Sequence, residues 1–364
     1  MNTVCDINKC NGCMACFDIC PKHCIKINDG IDAFNAIIDK DLCINCKLCK
    51  QICPNITKVE KVKPIEWKQG FANEEVRKQS SSGGAASAII INFIKSGGYV
   101  ASCLFKNGDF VFEITNDLNE ARCFAGSKYV KSNPTGIYKK INERLKTNKV
   151  LFIGLPCQVA ALKNFVKNQD RLYTIDLICH GTPSVKLLTS YLEERGYEMD
   201  CINDIGFRHD TDFGLWVNNV KINTPRVIDH YLCSFLESVD YTENCYSCQF
   251  ATLERVSDVT LGDSWGSDLK DEEKKGISLI LVQSEKGRDL LYKAGLNLSN
   301  VDLNVAIQNN HQLMHPSVLT SKRNKFLKLI DDGHTIEFST FVVLPKLVLK
   351  QIIKQILIQL HIIK

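Results

Sequence analysis

The pattern of apolar and polar positions changes twice along the chain. Residues 1–56 contain no long apolar run and are dense in cysteine, which indicates short turns and helices wrapped around a bound group. Residues 57–79 are polar and lack a clear period, which predicts a linker or covering loop. From residue 80 to residue 335, apolar strands alternate with amphipathic helices, which predicts an α/β domain.

Two βα units lie in the middle of this larger domain. Residues 149–166 and 172–196 each run from an apolar strand through a tight turn into a helix. Asn107-Gly108, between two apolar runs, predicts a β-hairpin. Parallel strands from the βα units and an antiparallel hairpin together predict a mixed, partly parallel sheet.

The last segment, residues 336–364, is predicted to form a basic amphipathic helix. Its lysines recur at helical spacing among many aliphatic residues. Such a helix either rests on a membrane surface or packs on its own domain or on a partner subunit. Both alternatives stay open at the level of sequence.

Charge and cysteine content narrow the function. Lysine and arginine number 45 against 41 acidic residues in 364, so nucleic-acid binding is not expected. The first residues lack the basic segment and apolar run of a secretory signal, so we expect a cytoplasmic protein, or one peripheral at the inner face of the membrane. Eighteen cysteines in a reducing compartment indicate metal rather than disulfides.

Eight of these cysteines form two copies of one motif. The spacing Cys-x-x-Cys-x-x-Cys-x-x-x-Cys-Pro is that of bacterial ferredoxins, in which three thiolates on one turn bind one cluster and the fourth binds the other. The sequence therefore predicts an α+β ferredoxin-like dicluster domain with two [4Fe–4S] clusters. The first cluster would take Cys10, Cys13, Cys16 and Cys53, and the second Cys43, Cys46, Cys49 and Cys20. Paired zinc sites are the alternative that this quadruple spacing disfavours.

Ten cysteines remain, and four of these would be enough to bind a further cluster. Cys157 and Cys179 lie at the ends of the two predicted strands, and Cys245 and Cys248 form a Cys-x-x-Cys pair. From the residues alone, the first two are equally well explained as small buried apolar groups and the pair as a zinc site or an unliganded pair. The other six are expected to be ordinary core or surface thiols: Cys5, Cys24, Cys103, Cys123, Cys201 and Cys233.

Five segments of the larger domain resemble a known family in sequence and order. They are SSGGAASAI (81–89), AGSKYVKS (125–132), GLPCQVAALK (154–163), DLICHGTPS (176–184) and CYSCQFATLERVSDVTLGDSWG (245–266). Together with the ferredoxin run, they are similar to the beta subunit of coenzyme F420 hydrogenase and dehydrogenase. The resemblance implies a non-covalent FAD beside an additional [4Fe–4S] cluster on Cys157, Cys179, Cys245 and Cys248.

Candidate flavin contacts come from two glycine-containing turns and one aspartate. A Gly-rich turn that opens a helix offers free N–H groups to a pyrophosphate, and the second turn offers a cation and an aromatic face. An ordinary helix cap, a solvated lysine and a core tyrosine explain the same residues without a cofactor. The candidates are Ser82, Gly83, Gly84, Gly126, Ser127, Lys128, Tyr129 and Asp263.

Two residues are candidates for catalysis. His180 follows Cys179 directly and could donate a proton to a reduced substrate, although a lone histidine is more often structural. Arg208 lies where relatives carry an Arg-acid-Lys segment, but here the run is Arg208-His209-Asp210 with no lysine following.

The expected function is that of an iron–sulfur flavoprotein oxidoreductase. Electrons would pass between the ferredoxin clusters and an FAD that reduces or oxidises a small organic two-electron substrate, with a redox protein as donor or acceptor. The alternative is a non-catalytic electron-transfer subunit that links a redox partner to another enzyme. The expected domains are the dicluster domain (1–56), the linker (57–79), the oxidoreductase domain (80–335) and the C-terminal helix (336–364).

Overall fold

The computed structural model describes residues 2–209 and 211–362. Within them the strands form a two-stranded hairpin, an eight-stranded sheet and a small three-stranded sheet. The strands are β1 Ile25–Asp29, β2 Phe34–Ile38, β3 Glu66–Phe71, β4 Tyr99–Lys106, β5 Asp109–Thr115, β6 Val150–Gly154, β7 Leu172–Leu177, β8 Ile205–His209, β9 Asp212–Val217, β10 Val220–Lys221, β11 Val259–Asp263, β12 Ser278–Val282 and β13 Asn297–Asn300.

Helices connect and cover these strands. The α-helices are α1 Ala15–Ile19, α2 Leu48–Ile52, α3 Glu74–Lys78, α4 Ala85–Lys95, α5 Leu118–Ala121, α6 Ile137–Arg144, α7 Pro156–Phe165, α8 Val185–Glu193, α9 His230–Leu236, α10 Lys270–Glu273, α11 Glu285–Lys293, α12 Leu303–Asn309, α13 Ser321–Asp331, α14 Ile336–Val343 and α15 Pro345–Gln359. Short 3-10 helices are Arg122–Phe124, Met199–Cys201, Glu243–Ser247 and His311–Leu313.

The large sheet is mixed, as the sequence predicts. Its strand order is β13-β3-β12-β11-β7-β6-β4-β5. The four neighbours β4, β6, β7 and β11 run parallel, and the outer strands pair antiparallel. Strands β6 and β12 are buried along their whole length, as expected where helices cover both faces. The predicted hairpin is confirmed as β4–β5, with Asn107 and Gly108 at positive φ between them.

The predicted linker over residues 57–79 is corrected by the structure. Strand β3, Glu66–Phe71, lies inside the large sheet between β12 and β13, and α3 follows it. The segment lacks the period of a half-buried strand because β3 carries charged residues such as Glu66 at partly buried positions and buries Gln69 completely. Gln69 is satisfied there by side chains of a distant turn, including Ser264 at 2.9 Å.

The single predicted C-terminal helix is also corrected. Residues 336–359 form two helices, α14 and α15, which meet where Leu344 precedes Pro345. Helix α15 contacts its own domain, since the Gln351 side chain accepts from the N–H of Ile228 at 3.1 Å and Lys354 donates to the Arg226 carbonyl at 2.7 Å. Residues 363–364 of the predicted helix lie outside the described residues. Within residues 2–209 and 211–362, no helix has the length and apolarity needed to cross a membrane.

The N-terminal module packs on the large domain through buried polar contacts. Both carboxylate oxygens of Asp18 accept from the N–H of Gly136, at 2.8 and 2.9 Å. The Tyr138 hydroxyl donates to the carbonyl of Cys13 at 2.7 Å, and Tyr138 is fully buried. Side chains of both parts share one apolar cluster, so the module and the domain form a continuous core.

Candidate iron–sulfur and redox site

Five cysteines line a pocket in the N-terminal module. They are Cys5, Cys10, Cys13, Cys16 and Cys53. Four of these are the set predicted for the first cluster, and the structure brings all four together. Cys53 arrives from the second motif, after α2, while the other three belong to the turn before α1 and to its first residues. Crossing over of the fourth cysteine is the arrangement expected for ferredoxin-type spacing.

A second pocket is lined by the complementary set. Its cysteines are Cys20, Cys24, Cys43, Cys46 and Cys49. The four predicted for the second cluster are among them, and Cys20 is the residue contributed by the first motif. This pocket is nearer the surface, because Cys46 is exposed whereas Cys10, Cys13 and Cys16 are buried.

The duplicated motif folds twice into the same turn. Gly12 and Met14 have φ of 65° and 58°, and the equivalent Asn45 and Lys47 have φ of 54° and 63°. Positive φ at two positions of each run curls the backbone so that successive thiols point to one side, before a short helix begins. Because Met14 and Lys47 are not glycine, each turn is held by surrounding structure rather than by free conformational choice.

The donor set suits an iron–sulfur cluster. Burial raises the pKa of the Cys13 thiol to about 11 and also raises that of Cys16. A buried thiolate is therefore costly unless a cationic centre offsets its charge, as cluster iron does. Among residues 2–209 and 211–362, no group of three or more His, Cys, Asp or Glu side chains is arranged to hold a single metal ion.

The third predicted cysteine set is assembled from three distant segments. Cys157 begins α7 just beyond β6, and Cys179 follows the neighbouring parallel strand β7. Burial raises the pKa of both thiols, and the charge of Cys248 raises each of them further. Cys245 in turn acts on both Cys179 and Cys248, so the four thiols occupy one locality. The backbone N–H of Thr242 donates to the carbonyl of Thr182 at 3.1 Å, which joins the segment after Cys179 to the segment before Cys245.

A buried ion pair fixes this locality. The Arg255 guanidinium contacts the Asp176 carboxylate at 2.9 Å, and both side chains are almost fully buried. Arg255 also donates to the carbonyls of Phe250 and Thr252, just after Cys248, and to that of Leu177, just before Cys179. One side chain thus ties the Cys-x-x-Cys segment to the end of β7.

The charges of thiols in neighbouring sets act on one another, and these interactions form a series that connects the three sets. Cys49 of the second pocket acts on Cys16 of the first. Cys13 of the first pocket acts on Cys157 of the third set. The Lys131 ammonium, in a nearly buried side chain, lowers the pKa of Cys13, Cys157 and Cys179 and lies 3.3 Å from the carbonyl of Asn11. Lys131 lies within the AGSKYVKS segment, but no motif there marks it as a functional residue.

Asp263 pairs with one predicted catalytic residue and acts on the charge of the other. Arg208 on β8 contacts the Asp263 carboxylate at 2.8 Å, and this carboxylate acts on the neighbouring His180. Burial, assisted by His311, lowers the pKa of His180 to about 4, so its imidazole is neutral near pH 7. Asp263 Oδ1 is buried and has no hydrogen-bond partner among the described residues. Asp210, next to this strand, lies outside the described residues.

Gln312 orients the His180 ring and was not selected from the sequence. Its side-chain nitrogen lies 2.9 Å from Nδ1 of His180 and 3.0 Å from Nε2 of His311. The amide of Gln312 therefore bridges the His180 and His311 rings. No sequence motif signals this contact because Gln312 lies 132 positions away along the chain.

The predicted flavin contacts divide into two groups. Gly83 is explained by packing, because a Cβ there would lie 2.5 Å from the Gly70 carbonyl oxygen, and Gly84 caps α4 at φ 79°. Ser82 donates to the Ile277 carbonyl, and the buried Lys128 amine donates to the carbonyls of Phe124 and Ala125. By contrast, a Cβ on Gly126 would meet open space.

Two further predicted flavin contacts, Ser127 and Tyr129, link these turns to one another and to the Arg208–Asp263 pair. The N–H of Ser127 donates to the Ser81 hydroxyl at 2.8 Å, which holds the two glycine-containing turns together. The Tyr129 ring stacks on Phe235 with centroids 4.6 Å apart, and its hydroxyl lies near Arg208 and Asp263. The open space beside Gly126 and the unpartnered Asp263 oxygen are the features of this region that fit a bound polar cofactor.

Comparison with known proteins gives the class. Residues 9–56 match the 4Fe-4S dicluster domain, which confirms the predicted pair of [4Fe–4S] clusters. Residues 147–300 match the C terminus of the coenzyme F420 hydrogenase/dehydrogenase beta subunit. The protein is therefore an iron–sulfur electron-transfer oxidoreductase. Over residues 147–300 it is similar to the coenzyme F420 hydrogenase/dehydrogenase beta subunit family, as its sequence segments indicated.

Individual relatives agree with this assignment. Coenzyme F420 hydrogenase subunit beta of Methanococcus voltae is 24% identical over 247 residues, which span 63% of this chain and 82% of the relative. A chain of the F420-reducing [NiFe] hydrogenase complex from Methanosarcina barkeri superimposes with a TM-score of 0.52 at 16% identity, over 70% of this chain and 91% of that chain. At that identity the second match establishes a shared fold.

Proposed function

We propose that this protein is an FAD-dependent iron–sulfur oxidoreductase that carries electrons through three clusters to a small organic two-electron substrate. The observation that carries the proposal is the continuous series of thiols, from the exposed second pocket through Cys16 and Cys13 to Cys157 and Cys179. His180 is the next residue after Cys179, so the series ends beside a candidate catalytic residue.

Twelve cysteines are assigned as ligands in this proposal. Cys10, Cys13, Cys16 and Cys53 hold the first cluster, and Cys20, Cys43, Cys46 and Cys49 hold the second. Cys157, Cys179, Cys245 and Cys248 hold the third. The surroundings of the third set support this assignment, because burial raises the pKa of the Cys157, Cys179 and Cys248 thiols, and thiolates at these positions need a metal to offset their charge.

The flavin region of the proposal is the space between Gly126 and Asp263. A bound FAD would exchange electrons one at a time with clusters and two at a time with an organic substrate. Support comes from the open face of Gly126 and from the unpartnered buried oxygen of Asp263. Ser127 and Tyr129 border that face, whereas Ser82, Gly83, Gly84 and Lys128 act by shaping the turns around it.

Arg208 and His180 have distinct roles in the proposed reaction. Arg208 supplies a fixed positive charge at the end of β8, held by Asp263 and lying over the Trp265 ring at 5.1 Å. It would orient an anionic or polar substrate group. His180, kept neutral because burial lowers its pKa, would donate a hydrogen bond to a polar atom of the substrate.

The partner of the second pocket would be another redox protein. Cys46 is exposed, and the neighbouring Leu42 and Ile44 side chains are 55% and 57% exposed. Apolar exposure beside a cluster is typical of small, transient electron-transfer interfaces. The relatives are subunits of F420 hydrogenases, and we infer by analogy that this chain also works with a redox partner.

The test is the iron, sulfide and flavin content of anaerobically purified protein. We expect about twelve iron atoms per chain, from three four-iron clusters, and one FAD. About eight iron atoms without flavin would contradict the enzyme and favour the electron-transfer subunit. Turnover of an organic acceptor by the isolated chain, with an artificial electron donor, would separate the two functions directly.

The third cluster is tested by Cys157→Ala. We expect the loss of about four iron atoms and of one cluster signal in the low-temperature EPR spectrum, with the signals of the other two clusters retained. The matched control is Cys233→Ala, another buried thiol, which lies on α9 outside all three sets. Full retention of iron in Cys157→Ala would refute the assignment.

A further inference from the structure

Each dicluster pocket contains one thiol more than a four-iron cluster binds. Cys5 lines the first pocket and Cys24 the second, beside the four motif cysteines. Neither belongs to the duplicated motif. Other cysteines outside the motif are different, since Cys233 is buried on α9 with its thiol directed to the Ile228 carbonyl.

Cys24 lies in direct contact with the ligand that the first motif contributes to the second pocket. Its sulfur is 3.4 Å from that of Cys20, and its side chain also interacts with Cys43. Cys24 is only 6% exposed, so it is not a solvent-facing thiol. It immediately precedes β1, whose pairing with β2 fixes its position.

Cys5 has the equivalent contacts in the first pocket. Its side chain interacts with Cys10 and with Cys53, and the Asn55 amide donates to its sulfur at 3.8 Å. In both pockets the extra thiol therefore touches the first cysteine of the local motif and the cysteine that arrives from the other motif. Cys5 precedes the first motif and Cys24 follows it, so the chain reaches equivalent places in the two pockets by two routes.

We propose that Cys24 and Cys5 are reserve cluster ligands, able to replace Cys20 and Cys53 respectively. The inference rests on the proposed ligand assignment of those two cysteines. In the exchange, the iron–sulfur bond to the original cysteine breaks, the reserve thiol gives its proton to the released thiolate, and the reserve sulfur bonds to the same iron. Where the original cysteine has been replaced, the proton of the reserve thiol goes to solvent. No electron is gained or lost.

The geometry favours exchange at the arriving ligand. The other three ligands of each cluster share one tight turn, and the arriving cysteine comes from the other half of the module. Separation of the two halves would remove that ligand first. A neighbouring thiol that is already buried at the pocket can take its place without movement of the turn.

The experiment compares four full-length variants prepared without oxygen: Cys20→Ala, Cys24→Ala, the double variant Cys20→Ala/Cys24→Ala, and Cys201→Ala. We expect Cys20→Ala to keep its iron and sulfide, with a changed EPR line shape and midpoint potential for one cluster. The double variant should lose about four iron atoms per chain. Cys24→Ala and the exposed control Cys201→Ala should both retain the wild-type iron content.

The outcomes separate this inference from the assigned function. If wild-type protein contains no iron, the proposed function and the inference both fail. If wild-type protein contains its clusters but Cys20→Ala loses as much iron as the double variant, the reserve role of Cys24 alone is refuted. Should Cys20→Ala fail to fold, the matched set Cys53→Ala and Cys5→Ala/Cys53→Ala decides the question in the other pocket.

Discussion

The dicluster module and the third cysteine set gather thiols in opposite ways. In the module, each pocket takes three motif cysteines from a single turn and one from the other half, all within residues 10–53. The third set joins cysteines at 157, 179, 245 and 248, which meet only because β6 and β7 are neighbours and Arg255 ties in the last segment. A local site depends on backbone turns, whereas a long-range site depends on the stability of the whole sheet.

The largest expected effect comes from removing Arg255, the side chain that ties the third cysteine set together. Arg255→Ala leaves the buried Asp176 carboxylate unpaired, which should lower the free energy of unfolding by about 3–5 kcal/mol. Because Arg255 fixes the segment after Cys248, iron of the third set should be lost before iron of the module. Denaturant unfolding and iron analysis measure the two effects.

The control for this variant is Lys146→Ala, which removes an exposed ion pair with Glu143. We expect it to change stability by less than about 1 kcal/mol. Equal loss of iron from the module and from the third set in Arg255→Ala would show that the two regions are not independent.

The next effect concerns pH and again belongs to the larger domain. Burial raises the pKa of Asp240 to about 7, so between pH 4 and 7 the folded protein holds a proton that the unfolded chain releases. Stability should therefore fall as pH rises through this range, by roughly 4 kcal/mol at about 1.4 kcal/mol per pKa unit. Asp240→Asn keeps the acceptor for the Ser234 hydroxyl and should flatten the dependence.

Urea unfolding of both proteins between pH 5 and 8 measures this slope. The variant should be the more stable protein above pH 7, where the native carboxylate is ionised. A slope in Asp240→Asn equal to that of the wild type would contradict the assignment of the proton to Asp240.

The dicluster module and the third cysteine set also differ in how much of their arrangement the sequence predicts. The spacing of the motif cysteines predicts which of them share a pocket, because each turn is local. The strand ends predict that Cys157 and Cys179 are neighbours, because adjacent parallel strands end at the same edge of the sheet. The places of Cys5 and Cys24, by contrast, depend on the packing of β1 and β2 and have no spacing that would reveal them.

Burial against distant partners explains the difference at β3. The sequence of residues 57–79 predicts a linker because the buried Gln69 of β3 is polar, yet Ser264, Ser267 and Asp268 satisfy it. The close approach of Gly70 and Ser278 to Gly83 likewise leaves no signature in the sequence. Sequence patterns record residue types, and they do not record which partner is reached across the fold.

A smaller effect should come from the contact between the dicluster module and the larger domain. Tyr138→Phe removes the hydroxyl that donates to the buried carbonyl of Cys13, at 2.7 Å. An unsatisfied buried acceptor costs about 1–3 kcal/mol. We expect a loss of stability of this size and a change in the EPR signal of the first cluster, with no change in that of the second. An unchanged first-cluster signal would show that this bond does not position Cys13.

The smallest effect is electrostatic and involves Lys131, which acts on thiols of both regions. Its ammonium lowers the pKa of Cys13 in the module and of Cys157 and Cys179 in the third set. A positive charge also stabilises the reduced form of a nearby cluster, by about 1 kcal/mol at such separations. Lys131→Met should therefore lower the midpoint potentials of the first and third clusters by about 40 mV each, since 59 mV corresponds to a tenfold change for one electron. The potential of the second cluster, which is farther away, is the internal reference in the same redox titration. An equal shift of all three potentials would mean that the substitution changes the fold, whereas a shift confined to one cluster would place the charge in one region only.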